Sequence, residues 1–187
     1  IIETKKILIP GKHNIENALA ATLAARAMDI SSTQIADTLM SFPGVEHRIE
    51  FVAEKNGVFY YNDSKATNVD SLEKALQSFS LKENKIILLL GGREQAGGND
   101  YSSVEKLIDK NVRVIIAIGE SGEKIVRTFS SKIRTVIALS MKEAVEYAKR
   151  ESVAGDIVLL SPACKSFDWF EDFEHRGKVF KDIVHQL

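Results

Sequence analysis

At 187 residues, with a formal net charge of −1, 44% hydrophobic and 27% charged residues, the chain has the make-up of a soluble globular protein: one ordinary domain plus an appendage, or two small domains. So balanced a charge argues against non-specific binding to nucleic acid or to a membrane surface, both of which need a basic field. No apolar run approaches the length of a membrane span, and the start, Ile1-Ile2-Glu3-Thr4-Lys5-Lys6, lacks the apolar region and small-residue cleavage site of a signal peptide.

The start also lacks a Met, as expected of a piece of a longer chain. The single cysteine, Cys164, allows no internal disulfide, so a reducing compartment such as the cytoplasm is the default, and Cys164 reads as a small buried thiol. The four histidines (His13, His47, His175, His185) form no His-x-x-x-His pair, and there is no Cys-x-x-Cys, so no metal site is expected.

In chain order, Lys5 to Ile9 is a short strand candidate stopped by Pro10-Gly11. Ile15, Leu19, Leu23 and Ala27 then recur at helical spacing, with Asn14 as the expected N-cap. Asn14 and Asn17 are open to two readings, a cap with an incidental neighbour or a pair of amides matched to the edge of an adenine ring. Ser31-x-x-Gln34 reads as a capping box for a second helix through Ile35, Leu39 and Phe42, ended by Pro43-Gly44. Two helices with no sheet of their own cannot make a core, so they look like the tail of a preceding domain.

Ile49, Phe51 and Ala53 alternate with polar neighbours, and Asn56-Gly57 turns the chain into Val58–Asn62, a strong hairpin signal. Arg48 stands at its entrance, either as a surface charge or as a group reaching a phosphate or sugar. Helix and strand patterns then alternate: Leu72, Ala75, Leu76 and Phe79 (helix); Ile86–Leu90 (buried strand); Val104, Leu107 and Ile108 (helix); Val112–Ile118 (strand); a helix capped by Ser121 with Ile125, Val126 and Phe129. Thr135–Leu139 is the next strand, Ser140-x-x-Glu143 a second capping box before Ala144, Val145 and Ala148, Ile157–Leu160 the last strand, and Phe173, Phe180, Val184 and Leu187 a closing helix. The pattern predicts an α/β fold: a mostly parallel sheet of about six strands, with an N-terminal β-hairpin and helices on both faces.

In such a sheet the strand ends share one rim. They run into Asp63-Ser64-Lys65, Gly91-Gly92-Arg93, Gly119-Glu120-Ser121-Gly122 and Ser161-Pro162. The turn Asn62-Asp63-Ser64-Lys65-Ala66-Thr67-Asn68 is either a ligand edge at a strand's carboxyl end or a helix cap (Asp63 or Asn68) beside a solvated Lys65. With Ser166 on the same rim, the glycines support an anion site. The chain has no Gly-x-x-x-x-Gly-Lys-Ser/Thr and no Gly-x-Gly-x-x-Gly, so it carries neither a phosphate loop nor a dinucleotide fingerprint.

Four segments together resemble the Mur ligases: Gly11-Lys12-His13-Asn14-Ile15-Glu16-Asn17-Ala18-Leu19, Asn62-Asp63-Ser64-Lys65-Ala66-Thr67-Asn68, Leu88-Leu89-Leu90-Gly91-Gly92, and Leu160-Ser161-Pro162-Ala163-Cys164 followed by Ser166-Phe167-Asp168. Phe173-Glu174-His175-Arg176-Gly177 extends the last. The resemblance is to the branch that joins D-glutamate to UDP-N-acetylmuramoyl-L-alanine, rather than to sister ligases or folylpolyglutamate synthases. It implies that residues 1–46 are the C-terminal part of a central ATPase domain and residues 47–187 a Rossmann-like C-terminal domain. It implies ATP-dependent, ADP-forming amide synthesis through an acyl phosphate, with Mg2+ held mainly by the missing central domain and no catalytic residue in this stretch.

By the same resemblance, Asn14 and Asn17 would contact adenine and Arg48 and Asp63 the ribose, while Lys65, Thr67, Ser166, Phe167 and Phe173 would line the D-glutamate site. Two departures stand out. The family's cation after Gly-Gly is replaced by Gln95 in a longer loop, and Lys165 stands where a small residue is commoner; Arg93 or Lys165 would then supply the missing charge. The alternatives are a stand-alone nucleotide or amino-acid binding module, and a Mur-type ligase for another amino acid.

Overall fold

The computed structural model describes residues 1–9, 11–79 and 85–187. Two helices, α1 (Lys12–Ala27) and α2 (Ser32–Ser41), pack against each other and precede the sheet. The sheet strands are β1 (Glu50–Lys55), β2 (Val58–Asn62), β3 (Ile86–Gly91), β4 (Val112–Ile118), β5 (Arg134–Ile137) and β6 (Ile157–Leu160). Between and after them run α3 (Val69–Gln77), α4 (Glu105–Asn111), α5 (Gly122–Phe129), α6 (Met141–Glu151) and α7 (Phe173–His185). The strand order is β1-β2-β6-β3-β4-β5, with β1 antiparallel to β2 and every other pair parallel. This is the six-stranded α/β sheet that the alternation predicts, and the Asn56-Gly57 turn takes the left-handed conformations (φ 52° and 78°) of a tight hairpin.

The continuous apolar run of β3, and β4 apart from Arg113, are buried because helices cover both faces. On one face Leu72 and Leu76 of α3, Ile108 of α4, and Ile125 and Phe129 of α5 pack on Leu88, Leu90 and Ile115. On the other, Ala144, Val145 and Ala148 of α6, with Phe180 and Val184 of α7, pack on Ile87, Leu89 and Ile116. Each of the larger side chains (Leu, Ile, Val, Phe) contributes about 1.5–3 kcal/mol by leaving water, and each alanine less. The two layers fix the height of the strand ends, and therefore of the rim.

Several local expectations change. Lys5 to Ile9 is not a strand: with no neighbour to pair with, the backbone closes on itself as a 3-10 turn over Thr4–Lys6. Pro10, expected to stop that strand, lies outside the described residues. Asn14 is not the N-cap of α1; Gly11 holds that place at φ 100°, and Asn14 lies inside the helix. The expected alternation of β1 is interrupted by a bulge between Phe51 and Ala53, so Ile49 joins the α3 face while Val52 and Ala53 pack toward α6 and α7. β5 is shorter than expected and Leu139 is 80% exposed, its N–H donating to Glu143. Ser121 precedes α5 without capping it through its side chain. The Ser31–Gln34 capping box is formed in both directions.

Candidate functional site

The carboxyl ends of β2, β6, β3 and β4 lie side by side. Asp63 follows β2 and is only 4% exposed. Its Oδ1 accepts from the Ile49 N–H at 3.2 Å and its Oδ2 from the Ser161 hydroxyl at 2.8 Å. Asn68, and not Asp63, caps α3, accepting from the Ser71 N–H. The competing roles for this turn are thus divided between two residues. Burial pushes the Asp63 carboxyl from its ordinary 3.8 up to about 7, although the Ser161 and Ile49 hydrogen bonds and the charges of Arg48 and Arg176 oppose that rise.

A cavity of about 250 Å³ opens beside this carboxylate. Arg48, Asp63 and Lys65 line it together, joined by His13 from α1 and by Asp70, Ser71 and Lys74 from α3. Burial first, then the charges of Arg48 and Lys74, hold His13 below its ordinary range. Asn14 and Asn17 do not line this cavity. Asn14 is buried, and the Asn17 amide donates to its Oδ1 at 3.4 Å. Sequence reasoning missed His13, Asp70 and Lys74. The i, i+4 spacing of Asp70 and Lys74 on α3 was the available signal.

The segment entering the site is strained. His47 (φ 63°) and Ile49 (φ 45°) are left-handed, and a β-branched residue there is a genuine outlier. The hydrogen bonds that hold it come from the site's own turn. The Ile49 N–H bonds to Asp63, the Lys65 N–H donates to the His47 carbonyl at 3.0 Å, and the Asn62 amide lies 3.0 Å from His47 Nδ1. Asn62 also donates to Glu50 at 2.9 Å. Gly177 of α7 packs on this segment so closely that a Cβ would collide with the His47 ring.

Of the residues expected around the amino acid, Lys65 and Phe173 come together. Lys65 Nζ stands 5.6 Å from the centre of the Phe173 ring. Gln95 donates to the Thr67 carbonyl at 3.3 Å, which ties the longer loop to the Asp63 turn. Ser166 is buried, its carbonyl accepting from the Trp169 and Phe170 N–H groups, whereas Phe167 is 53% exposed. Arg93 and Lys165 face each other in an antiparallel bridge. Arg93 is engaged by Glu120 in a two-pronged pair, with its closer contact at 2.7 Å; the Lys165 side chain is exposed and has no partner among the described residues. Of the two candidates for the missing cation, Lys165 is the uncommitted one. At Gly92 and Gly119 a Cβ would strike the Lys165 carbonyl and the Asp168 carboxylate respectively, so these glycines let the strand ends and the 164–168 loop close on one another.

Between the turn after β2 and the loop after β6 lies Arg176, 1% exposed. Its guanidinium donates to the Ser64 hydroxyl (2.9 Å), the Ser64 carbonyl (2.8 Å) and the Cys164 carbonyl (3.1 Å). Burial lowers Arg176 to about 10. Cys164 is buried and its thiol is pushed up by that burial, as expected of an inert thiol. Among the described residues, the one cluster with metal-ligand geometry is Glu46, His47 and Glu50. Lys181 already neutralises both glutamates at 2.5 and 2.9 Å, and Asn62 occupies His47 Nδ1, so this cluster does not suit Mg2+.

A family model described as "Mur ligase, glutamate ligase domain" matches residues 47–164. The UDP-N-acetylmuramoylalanine--D-glutamate ligase of Chloroherpeton thalassium is 50% identical over 95% of this chain and 37% of its own length. The protein of the same name from Acidobacterium capsulatum is 44% identical over 98% of this chain and 39% of its own. The chain therefore spans less than half the length of these relatives. Among solved structures, the UDP-N-acetylmuramate-alanine ligase of Thermotoga maritima matches with TM-score 0.69 at 18% identity, covering 95% of this chain and 39% of that one. E. coli FolC, solved with DHPP and ADP, matches with TM-score 0.65 at 19% identity over 91% and 39%. At these identities the structural likeness speaks for the fold.

Proposed function

The chain belongs to the Mur ligase family, and from that premise we propose that it forms the C-terminal part of an ATP-dependent, ADP-forming ligase that adds D-glutamate to UDP-N-acetylmuramoyl-L-alanine in peptidoglycan precursor synthesis. In this reading residues 1–46 end a central ATPase domain and residues 47–187 form the C-terminal domain; the start of the family match at residue 47 supports that boundary. The observation that carries the proposal is the cavity in which Arg48, Asp63 and Lys65 meet His13 of α1. It joins the two stretches at the point where a nucleotide would sit between them.

Each residue then has a task its chemistry suits. Asp63, already aligned by Ile49 and Ser161, accepts hydrogen bonds from the vicinal hydroxyls of ribose. Arg48 flanks the same sugar, and Asn14 and Asn17 offer amides to adenine from the adjoining helix. Lys65, Thr67, Ser166 and Lys165, with backbone groups near Phe167 and Phe173, hold the carboxylates of D-glutamate and orient its amine toward the acyl phosphate made from ATP. Phosphorylation supplies the leaving group; Mg2+, held by the preceding part of the protein, would neutralise the phosphates. Among the described residues no helix is long and apolar enough to cross a membrane, and ATP supply fits a cytoplasmic enzyme.

The test is ADP release by the full-length protein encoded by the gene, with UDP-N-acetylmuramoyl-L-alanine and a panel of amino acids. Turnover with D-glutamate alone is expected, and equal turnover with another amino acid would refute the assignment. The 187-residue chain by itself is expected to release no ADP, because it carries no phosphate loop.

A further inference from the structure

Arg176 is the largest fully buried side chain among the described residues, and its hydrogen-bond partners there are Ser64 and the Cys164 carbonyl, with no carboxylate among them. Buried guanidinium groups are ordinarily paired. This one is held by neutral oxygens, and those oxygens belong to the segments that carry the proposed site. Ser64 lies between Asp63 and Lys65, and Cys164 directly precedes Lys165 and Ser166. The Ser64 hydroxyl, while accepting from Arg176 Nε, donates to the Phe173 carbonyl at 2.8 Å. One planar fork thus touches the β2 turn and the β6 loop directly, and reaches the start of α7 through Ser64.

We propose that Arg176 is a positioning residue for the ligase reaction: its guanidinium sets the spacing of the Asp63–Thr67 turn, the Lys165–Phe167 loop and Phe173, and so decides how well the rim holds D-glutamate and the nucleotide. This rests on the functional reading above. A planar fork with fixed donor directions can hold two loops in register, whereas a single ammonium on a flexible stem cannot. The guanidinium charge also acts on Asp63. The charged groups that face Asp63 are Arg48 from the loop before β1 and Arg176 from α7; its direct hydrogen-bond donors are the neutral Ser161 and Ile49 N–H, and Lys65, Asp70, Lys74 and His13 line the cavity beyond. Loss of Arg176 leaves Asp63 protonated to higher pH.

The experiment compares wild type, Arg176→Met, Arg176→Lys and Ser64→Ala in the full-length protein, measuring KM for D-glutamate and for ATP, kcat, the pH profile and the thermal midpoint. Arg176→Met is expected to lower kcat/KM for D-glutamate on the order of a hundredfold, since an ångström of misplacement costs about that much. Its acid limb is expected to move up by about half a pH unit, from the loss of a nearby positive charge. Arg176→Lys keeps the charge and loses the fork: KM for D-glutamate rises while the acid limb stays in place. Ser64→Ala raises the same KM by a smaller factor. A folded Arg176→Met with wild-type KM values and acid limb overturns the inference; if that variant does not fold, wild-type KM values in both Arg176→Lys and Ser64→Ala do so. Absence of D-glutamate-dependent ADP release in the wild type would instead refute the functional reading itself.

Discussion

Asp63→Asn separates the two things Asp63 does. Its carboxyl is raised from 3.8 to about 7, chiefly by burial. Between those values the folded chain holds a proton that the unfolded chain has released, so this group's contribution to stability is full below 3.8 and is lost as pH rises through about 7. The whole rise corresponds to roughly 4 kcal/mol, of which roughly 2.5 kcal/mol falls between pH 5 and pH 8. Asparagine has no such proton. Its Oδ1 can keep the Ile49 N–H bond, and the Ser161 hydroxyl can turn to accept from the new amide. Exposed carboxyls such as Glu120 and Asp182 are held low by Arg93 and Lys178 and act in the opposite sense, but they are common to both proteins. Urea unfolding at a series of pH values should therefore show wild type losing roughly 2–3 kcal/mol relative to Asp63→Asn on going from pH 5 to pH 8, while nucleotide affinity in the full-length variant falls. Parallel stability curves would refute the claim that this carboxylate is held against its desolvation cost, and with it the argument that the turn is kept for a ligand.

Three further outcomes follow from the geometry. Lys165→Ala should raise KM for D-glutamate severalfold (about three- to tenfold, as for one exposed charge contact), whereas Arg93→Ala, which removes a side chain already bonded to Glu120, should change it by less than about twofold; steady-state kinetics decides, and an unchanged KM in Lys165→Ala removes Lys165 from the site. Gly177→Ala should destabilise the fold by about 1–3 kcal/mol, read by urea unfolding, because the added methyl meets the His47 ring. Ser31→Ala should cost about 1 kcal/mol through loss of the α2 capping box, measured by thermal unfolding; no shift would mean that α2 frays independently of the rest.

The sheet was legible because its signals were redundant. β2, β4 and β6 begin and end where the pattern predicts; β6 and nearly all of β4 are buried on both faces, which leaves little choice of register. Where burial is one-sided, local pattern lost to tertiary geometry. The bulge in β1 moves Ala53 off the face of Ile49 and onto that of Val52, and only pairing with β2 determines that. Lys5 to Ile9 has strand-like apolar spacing, but periodicity does not report pairing, and this segment pairs with no strand of the sheet.

The site divided along the same line. Asp63 and Lys65 were visible because strand ends of a parallel sheet converge on one rim, so polar residues in those positions must meet. Arg48, at the entrance of the antiparallel hairpin, is open between surface charge and ligand group on its local sequence, and only the family resemblance gives it a role. Nothing local marks Arg176, an arginine in an amphipathic helix, as buried. Its burial follows from Gly177: with no side chain at that position, α7 closes against His47 and Asn62, and the neighbouring arginine is carried under the β2 turn to Ser64 and Cys164. The left-handed Ile49 completes this arrangement. Its backbone strain is offset by a hydrogen bond to Asp63, so a ligand that draws on the Asp63 carboxylate also loads the link between α1–α2 and the sheet. If Asp63 holds the nucleotide as proposed, nucleotide contact and the geometry of that link share one carboxylate. Ile49 also lines the cavity, and Ile49→Gly, which relieves the strain, should alter ATP affinity of the full-length protein, read by titration.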